Sequence, residues 1–131
     1  MMTTIQALVW SGILTLVMLL VASGFCAKVW EPGGAQVAFG NREGMPPALG
    51  IAGRADRAAK NQMEAMVLFL ALVLAAQVAG KGAQAAYGAT IFFWARVAHA
   101  IIYTAGIVYL RTAAFAVSLA GEVLILSQLL G

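Results

Sequence analysis

The chain has 131 residues, 63% hydrophobic and 10% charged, with eight Lys and Arg against five Asp and Glu for a net charge of +3. That is room for one domain and not two. It leaves too little polar surface for a soluble protein, and the basic residues, scattered between apolar runs, do not form the single basic face of a nucleic-acid binder. A single cysteine, Cys26, and a single histidine, His99, exclude an internal disulfide and argue against a metal site within one chain.

Four apolar runs follow in chain order. The first, Ile5 to Ala27 within a helix expected over about 5–29, has Gln6 as its only strongly polar residue. At about 1.5 Å per residue it spans a hydrocarbon core about 30 Å thick. It does not read as a cleaved leader, since no Lys or Arg precedes it and the run exceeds a signal h-region. A loop over about 30–53 comes next, rich in Gly and Pro (EPGG, GMPPALG). The second helix is expected over about 55–79, with a polar first turn and an apolar part from about Lys60 to Ala79. The third is expected over 83–110, interrupted by Arg96 and His99, and the fourth over 112–130, interrupted by Glu122. No segment alternates with period two as barrel strands do, and in lipid helices are then the way to satisfy the backbone. Gly80-Lys81-Gly82 and the neighbourhood of Arg111 read as tight turns, so consecutive helices run antiparallel. The expected fold is an all-α integral membrane protein, an up-down four-helix transmembrane bundle in one domain over 1–131.

Charge sets the orientation. Lys28, Arg42, Arg54, Arg57, Lys60 and Arg111 fall on one side and only Lys81 on the other. The positive-inside rule then puts both termini outside the cytoplasm and the long loop inside it.

A charge at mid-bilayer costs about 2.5–3.5 kcal/mol on insertion scales, so each polar residue in these runs needs a reason. Arg57, Asn61 and Glu64 are spaced i, i+4, i+7 and share a helix face, as do Arg96, His99 and Tyr103 at i, i+3, i+7. Counted from Arg54, Glu64 is about 15 Å deep; counted from Arg111, Arg96 is about 22 Å deep. Both stripes therefore lie in the cytoplasmic half and can face one another around an inward-opening cavity. Arg there suits carboxylates, Asn both donates and accepts, and Glu64 can hold an ammonium group. A small peptide-like molecule with two carboxylates and one amine matches that set.

These residues also carry a family resemblance. RADRAAKNQMEAMVLF, with its Arg-Ala pair followed by Asn and then Glu three residues on, resembles the second-helix signature of the membrane-associated proteins in eicosanoid and glutathione metabolism, MAPEG. RVAHAIIY followed by YLRT resembles the third-helix signature, in the manner of bacterial-type members akin to microsomal glutathione transferase and most like microsomal prostaglandin synthase. The resemblance implies a homotrimer in the membrane that binds glutathione as co-substrate between subunits near the cytoplasmic face. It implies a transferase or peroxidase that activates the glutathione thiol against a lipophilic electrophile or hydroperoxide. A non-catalytic, lipid-binding scaffold of the same fold is the alternative, since some members act so. For a bacterial-type member the location is the inner membrane. By position, Lys60, Asn61, Glu64, His99 and Tyr103 match glutathione-binding residues, and Arg57 and Arg96 match arginines in or beside the site. Arg111 matches the arginine that stabilises the thiolate, with Thr112 beside it. Lys28 approximates a basic residue that joins the site from the first helix, and Phe115 stands where some members carry Tyr.

Each residue also has a plainer reading. Arg96 and Glu64 can be a structural ion pair, Arg57 and Lys60 interfacial anchors that snorkel, and Asn61 interhelical glue. His99 can be a hydrogen-bonded core residue, and Tyr103 and Tyr109 part of an aromatic belt. On sequence physics alone Arg111-Thr112 is a turn with a capping threonine, and only the resemblance gives it a catalytic role. Glu122 is left to pair with Arg96 or to face another subunit. The intramembrane charges alone would also permit a small transporter subunit.

Overall fold

The computed structural model describes residues 1–41, 45 and 47–131. Among the described residues there are five helices and no strand: α1 (Thr4–Ala27), α2 (Gly34–Phe39), α3 (Gly50–Val78), α4 (Gly82–Ala105) and α5 (Val108–Leu130). All but α2 are long and apolar enough to cross a membrane. The chain is thus an all-helical, four-helix membrane bundle.

Local chemistry sets the ends. Thr3 caps α1 with a reciprocal capping box to Gln6. At the same end of the bundle the Thr4 hydroxyl donates to the Gly82 carbonyl, and Lys81 Nζ donates to the Leu129 carbonyl at 3.4 Å. At the opposite end Arg54 Nε donates to the Thr104 carbonyl at 2.9 Å, satisfying one of the free acceptors of a helix C-terminus. These contacts fix the up-down order.

The break between α4 and α5 differs from expectation. The turn expected at Arg111 is at Gly106 and Ile107, and Arg111 lies inside α5. Gly106 adopts a left-handed φ of 86°, and Ile107 N–H returns to the Ile102 carbonyl at 3.2 Å. This is the glycine-terminated ending that left-handed backbone makes easy for glycine. The helices expected over 83–110 and 112–130 are accordingly Gly82–Ala105 and Val108–Leu130. Arg96 is then nine residues, about 14 Å, from its helix end rather than about 22 Å. The second long helix starts at Gly50, earlier than expected, and the loop before it contains the short α2. Arg42 lies outside the described residues.

Helix α4 is the centre of the bundle and packs against α1, α3 and α5, while α1 and α5 do not touch. Its small residues allow this. A Cβ on Gly88 would sit 2.6 Å from the Gly121 carbonyl oxygen, and one on Gly121 would sit 2.7 Å from that of Gly88. The two backbones meet there, as small residues permit in lipid. Near that contact Phe69 of α3 stacks on Phe92 of α4, ring centroids 3.9 Å apart, among Ala7, Val73, Ala89 and Ile125. This apolar core fills one half of the bundle. The polar residues fill the other.

Candidate functional site

Helix geometry brings the polar residues of α3 and α4 together. Asn61 and Gln62 point about 100° apart on α3, and one arginine of α4 spans both. Arg96 is wholly buried. Its Nε donates to Gln62 Oε1 at 2.7 Å and its Nη2 to Asn61 Oδ1 at 2.8 Å. Gln62, also wholly buried, donates through Nε2 to Thr15 Oγ1 at 3.1 Å, and Thr15 donates to the Ser11 carbonyl at 2.8 Å. A hydrogen-bonded chain thus runs from α4 through α3 to α1. It gives partners to two of the three nitrogens of a guanidinium whose unpaired burial would be costly.

This arrangement corrects one reading of the sequence. No ion pair joins Arg96 to Glu64 among the described residues; neutral amides hold the arginine instead. Arg96 Nη1 and Glu122 Oε1 are both buried without a hydrogen-bond partner. Glu122 of α5 is within Coulombic reach of Arg96 but does not form a close ion pair with it.

Beside this network lies a cleft of about 270 Å³ lined by Asn61, His99, Tyr103, Arg111, Thr112 and Phe115. His99 and Tyr103 are one turn apart on α4 and meet edge to face, centroids 5.4 Å apart. The first turn of α5 carries Arg111 over the Tyr103 ring, with Cζ 4.6 Å from the centroid, a cation–π geometry. The early break at Gly106 makes this possible, because it folds α5 back so that Arg111 faces α4. His99 is buried, and its Nδ1 has no partner.

A second cleft of about 250 Å³ continues along the seam of α3 and α5, lined by Asn61, Glu64, Ala65, Leu68, Phe115, Ser118, Leu119 and Glu122. Asn61 and Phe115 border both clefts. One region therefore offers donors from Arg111, Thr112 and His99, and the adjoining region offers carboxylates.

Of the ten residues singled out in the sequence, Asn61, Glu64, Arg96, His99, Tyr103, Arg111 and Thr112 gather in these clefts or in the network behind them. Three do not. Lys60 is exposed and pairs with Asp56 at 2.9 Å. Arg57 is exposed, its Nη1 lying back against Gly53. Lys28 is exposed in a left-handed conformation at the end of α1. Gln62, Thr15 and Ser118 escaped the sequence reading. Gln62 sits off the Arg57-Asn61-Glu64 stripe, and a lone Gln, Thr or Ser in an apolar helix gives little signal. The polar character of Gln62 in a membrane span is the signal that could have found it.

No curated protein and no solved structure gives a significant match to the chain. The family model that does match covers residues 4–131, which takes in all four membrane helices and both clefts. The chain therefore belongs to the MAPEG family, membrane proteins of glutathione and eicosanoid metabolism.

Proposed function

We propose that the protein is a glutathione-dependent membrane transferase or peroxidase, whose clefts hold glutathione and activate its thiol toward a lipophilic electrophile or hydroperoxide. The observation that carries this reading is Arg111 over Tyr103, beside His99 and Thr112, in a single cleft. A free thiol titrates near about 8.5, and a guanidinium beside it favours the anion. Tyr103 orients the Arg111 guanidinium from below, and Thr112 adds a hydroxyl that can donate to the same sulfur. Family membership supports glutathione as the ligand. So does the donor set: guanidinium, imidazole and hydroxyl groups suit its carboxylates and thiol, and Glu64 suits its amine.

The second substrate enters from the lipid along the groove edged by Leu68, Phe115 and Leu119. The same groove also suits the second reading, a lipid-binding scaffold without turnover. In our reading the molecule is a homotrimer in a bacterial inner membrane, with both termini outside and the clefts toward the cytoplasm. The clustering of Arg54, Arg57, Lys60 and Arg111 at one end of the bundle supports that orientation. The test is to purify the protein in detergent and measure glutathione affinity together with conjugation of a chlorodinitrobenzene. Binding with turnover supports the enzyme, binding without turnover favours the scaffold, and no binding removes both the ligand and the reaction.

A further inference from the structure

Among the described residues, Arg96, His99 and Glu122 are the buried ionisable side chains. Arg96 is wholly buried and Glu122 is 6% exposed. The neutral amides of Gln62 and Asn61 hold Arg96 Nε and Nη2, which leaves the guanidinium charge unmatched. Arg96 Nη1 is a donor without a partner, and Glu122 Oε1 is an acceptor without one. The two groups are within Coulombic reach of each other. A buried charge in a membrane span is costly unless an opposite charge answers it.

The backbone sets these two groups across one seam. A Cβ on Gly88 would lie 3.1 Å from Ile125 N, and one on Gly121 would lie 2.8 Å from Phe92 N. In that antiparallel register the face of α4 that carries Gly88, Phe92 and Arg96, spaced i, i+4, i+8, turns toward α5. Arg96 is about 14 Å from the end of α4 and Glu122 about 21 Å from the start of α5, so their levels differ by about 7 Å. Helical side chains lean toward the N-terminus of their own helix. In antiparallel neighbours Arg96 therefore leans toward the level of Glu122, away from His99, and Glu122 leans back toward Arg96. We infer that Glu122 is a positioning residue, linked to Arg96 Nη1 through one buried water at its Oε1, and that through Arg96 it holds the Asn61 amide on the wall common to both clefts. A water accepts from the guanidinium and donates to the carboxylate, which joins a donor and an acceptor that do not meet directly. Asn61 Oδ1 takes the other end of the same guanidinium at 2.8 Å. Where Arg96 is held then decides how the Asn61 NH2 group is presented to the clefts it borders. The inference rests on the reading of these clefts as a glutathione site.

The test is calorimetric titration of the detergent-purified full chain with glutathione, read beside the thiolate absorbance at saturating glutathione and the thermal midpoint. Glu122→Gln is expected to weaken glutathione binding about three- to tenfold, the scale of coupling through a packed network, and to lower the midpoint. The thiolate signal at saturation is expected to stay at the wild-type level, because Arg111 keeps its place over Tyr103. In an Arg96→Met background the same change is expected to alter neither affinity nor midpoint, since the route through Arg96 is gone. The midpoint decides where that background binds too weakly to titrate, and the split between affinity and thiolate decides where Arg96→Met cannot be obtained. Equal losses in both backgrounds overturn the proposal and leave the glutathione reading standing. So does a Glu122→Gln protein with wild-type affinity, or one whose thiolate signal falls along with its affinity. Should Glu122→Gln fail to fold, a folded Arg96→Met/Glu122→Gln protein supports the charge pair, and a double variant that also fails to fold overturns it. Failure of the wild type to bind glutathione removes the glutathione reading and the positioning role with it, while the midpoints still decide the charge pair.

Discussion

Arg96 and Gln62 are joined inside the bundle by a 2.7 Å hydrogen bond between two wholly buried side chains. Gln62 connects α1 and α4, accepting from Arg96 and donating to Thr15. Removing it leaves the buried Arg96 Nε without its acceptor, while Arg96 Nη2 keeps Asn61 and Thr15 keeps the Ser11 carbonyl. Gln62→Leu is therefore expected to cost about 1–3 kcal/mol, the penalty for a buried polar group left unpaired. Thr15→Val, which removes one interhelical bond, should cost only about 0.6–1 kcal/mol. Thermal unfolding in detergent, followed by circular dichroism, checks the order: Gln62→Leu must fall further than Thr15→Val.

The α4–α5 contact makes a sharper steric prediction. A Cβ at Gly88 meets backbone at 2.6 Å, whereas nothing lies within 4 Å of one at Gly12. Gly88→Ala should lower the thermal midpoint markedly and Gly12→Ala should leave it nearly unchanged, since overpacking costs about 1–3 kcal/mol. Equal midpoints for the two variants would mean that α4 and α5 do not approach as closely as described.

The Lys60–Asp56 pair is a control of the opposite kind. Its side chains are 69% and 37% exposed, and exposed i, i+4 pairs contribute about 0.3–0.5 kcal/mol. Lys60→Ala is expected to change stability by no more than that. Because Lys60 lines neither cleft, the same variant should keep glutathione affinity within about twofold, read by titration calorimetry.

Orientation can be tested by cysteine accessibility in a Cys26→Ser background. Lys81→Cys should react with a membrane-impermeant maleimide from outside intact cells. Arg57→Cys should react only after permeabilisation, as the positive-inside rule requires. The reverse pattern would turn the clefts away from the cytoplasm.

Much of this was legible in the chain. Long apolar runs reveal membrane helices because lipid demands them. Asn61 with Glu64, and His99 with Tyr103, were recoverable because helical period alone puts them on shared faces. The break at Gly106 was hidden by its flanks: Ile107, Val108 and Leu110 continue the apolar run, so hydropathy passes over the turn and only the glycine marks it. The partner of Arg96 was hidden for another reason. Glu64 is the obvious counter-charge by type, but Gln62 and Asn61 are the acceptors that rotation about α3 presents to it. A six-residue helix such as α2 leaves too short a period to read.

Arg111 is where the account is most exposed, because its guanidinium is assigned the work of holding the thiolate. The most direct measurement is the ultraviolet thiolate absorbance that develops when glutathione is mixed with purified protein at neutral pH, comparing wild type with Arg111→Ala. The account predicts a thiolate signal in the wild type and its loss in Arg111→Ala, with a fall in conjugation rate of about a hundredfold, the scale for removing one donor to a developing anion. An Arg111→Ala protein that generates the full thiolate signal and conjugates at the wild-type rate would contradict it.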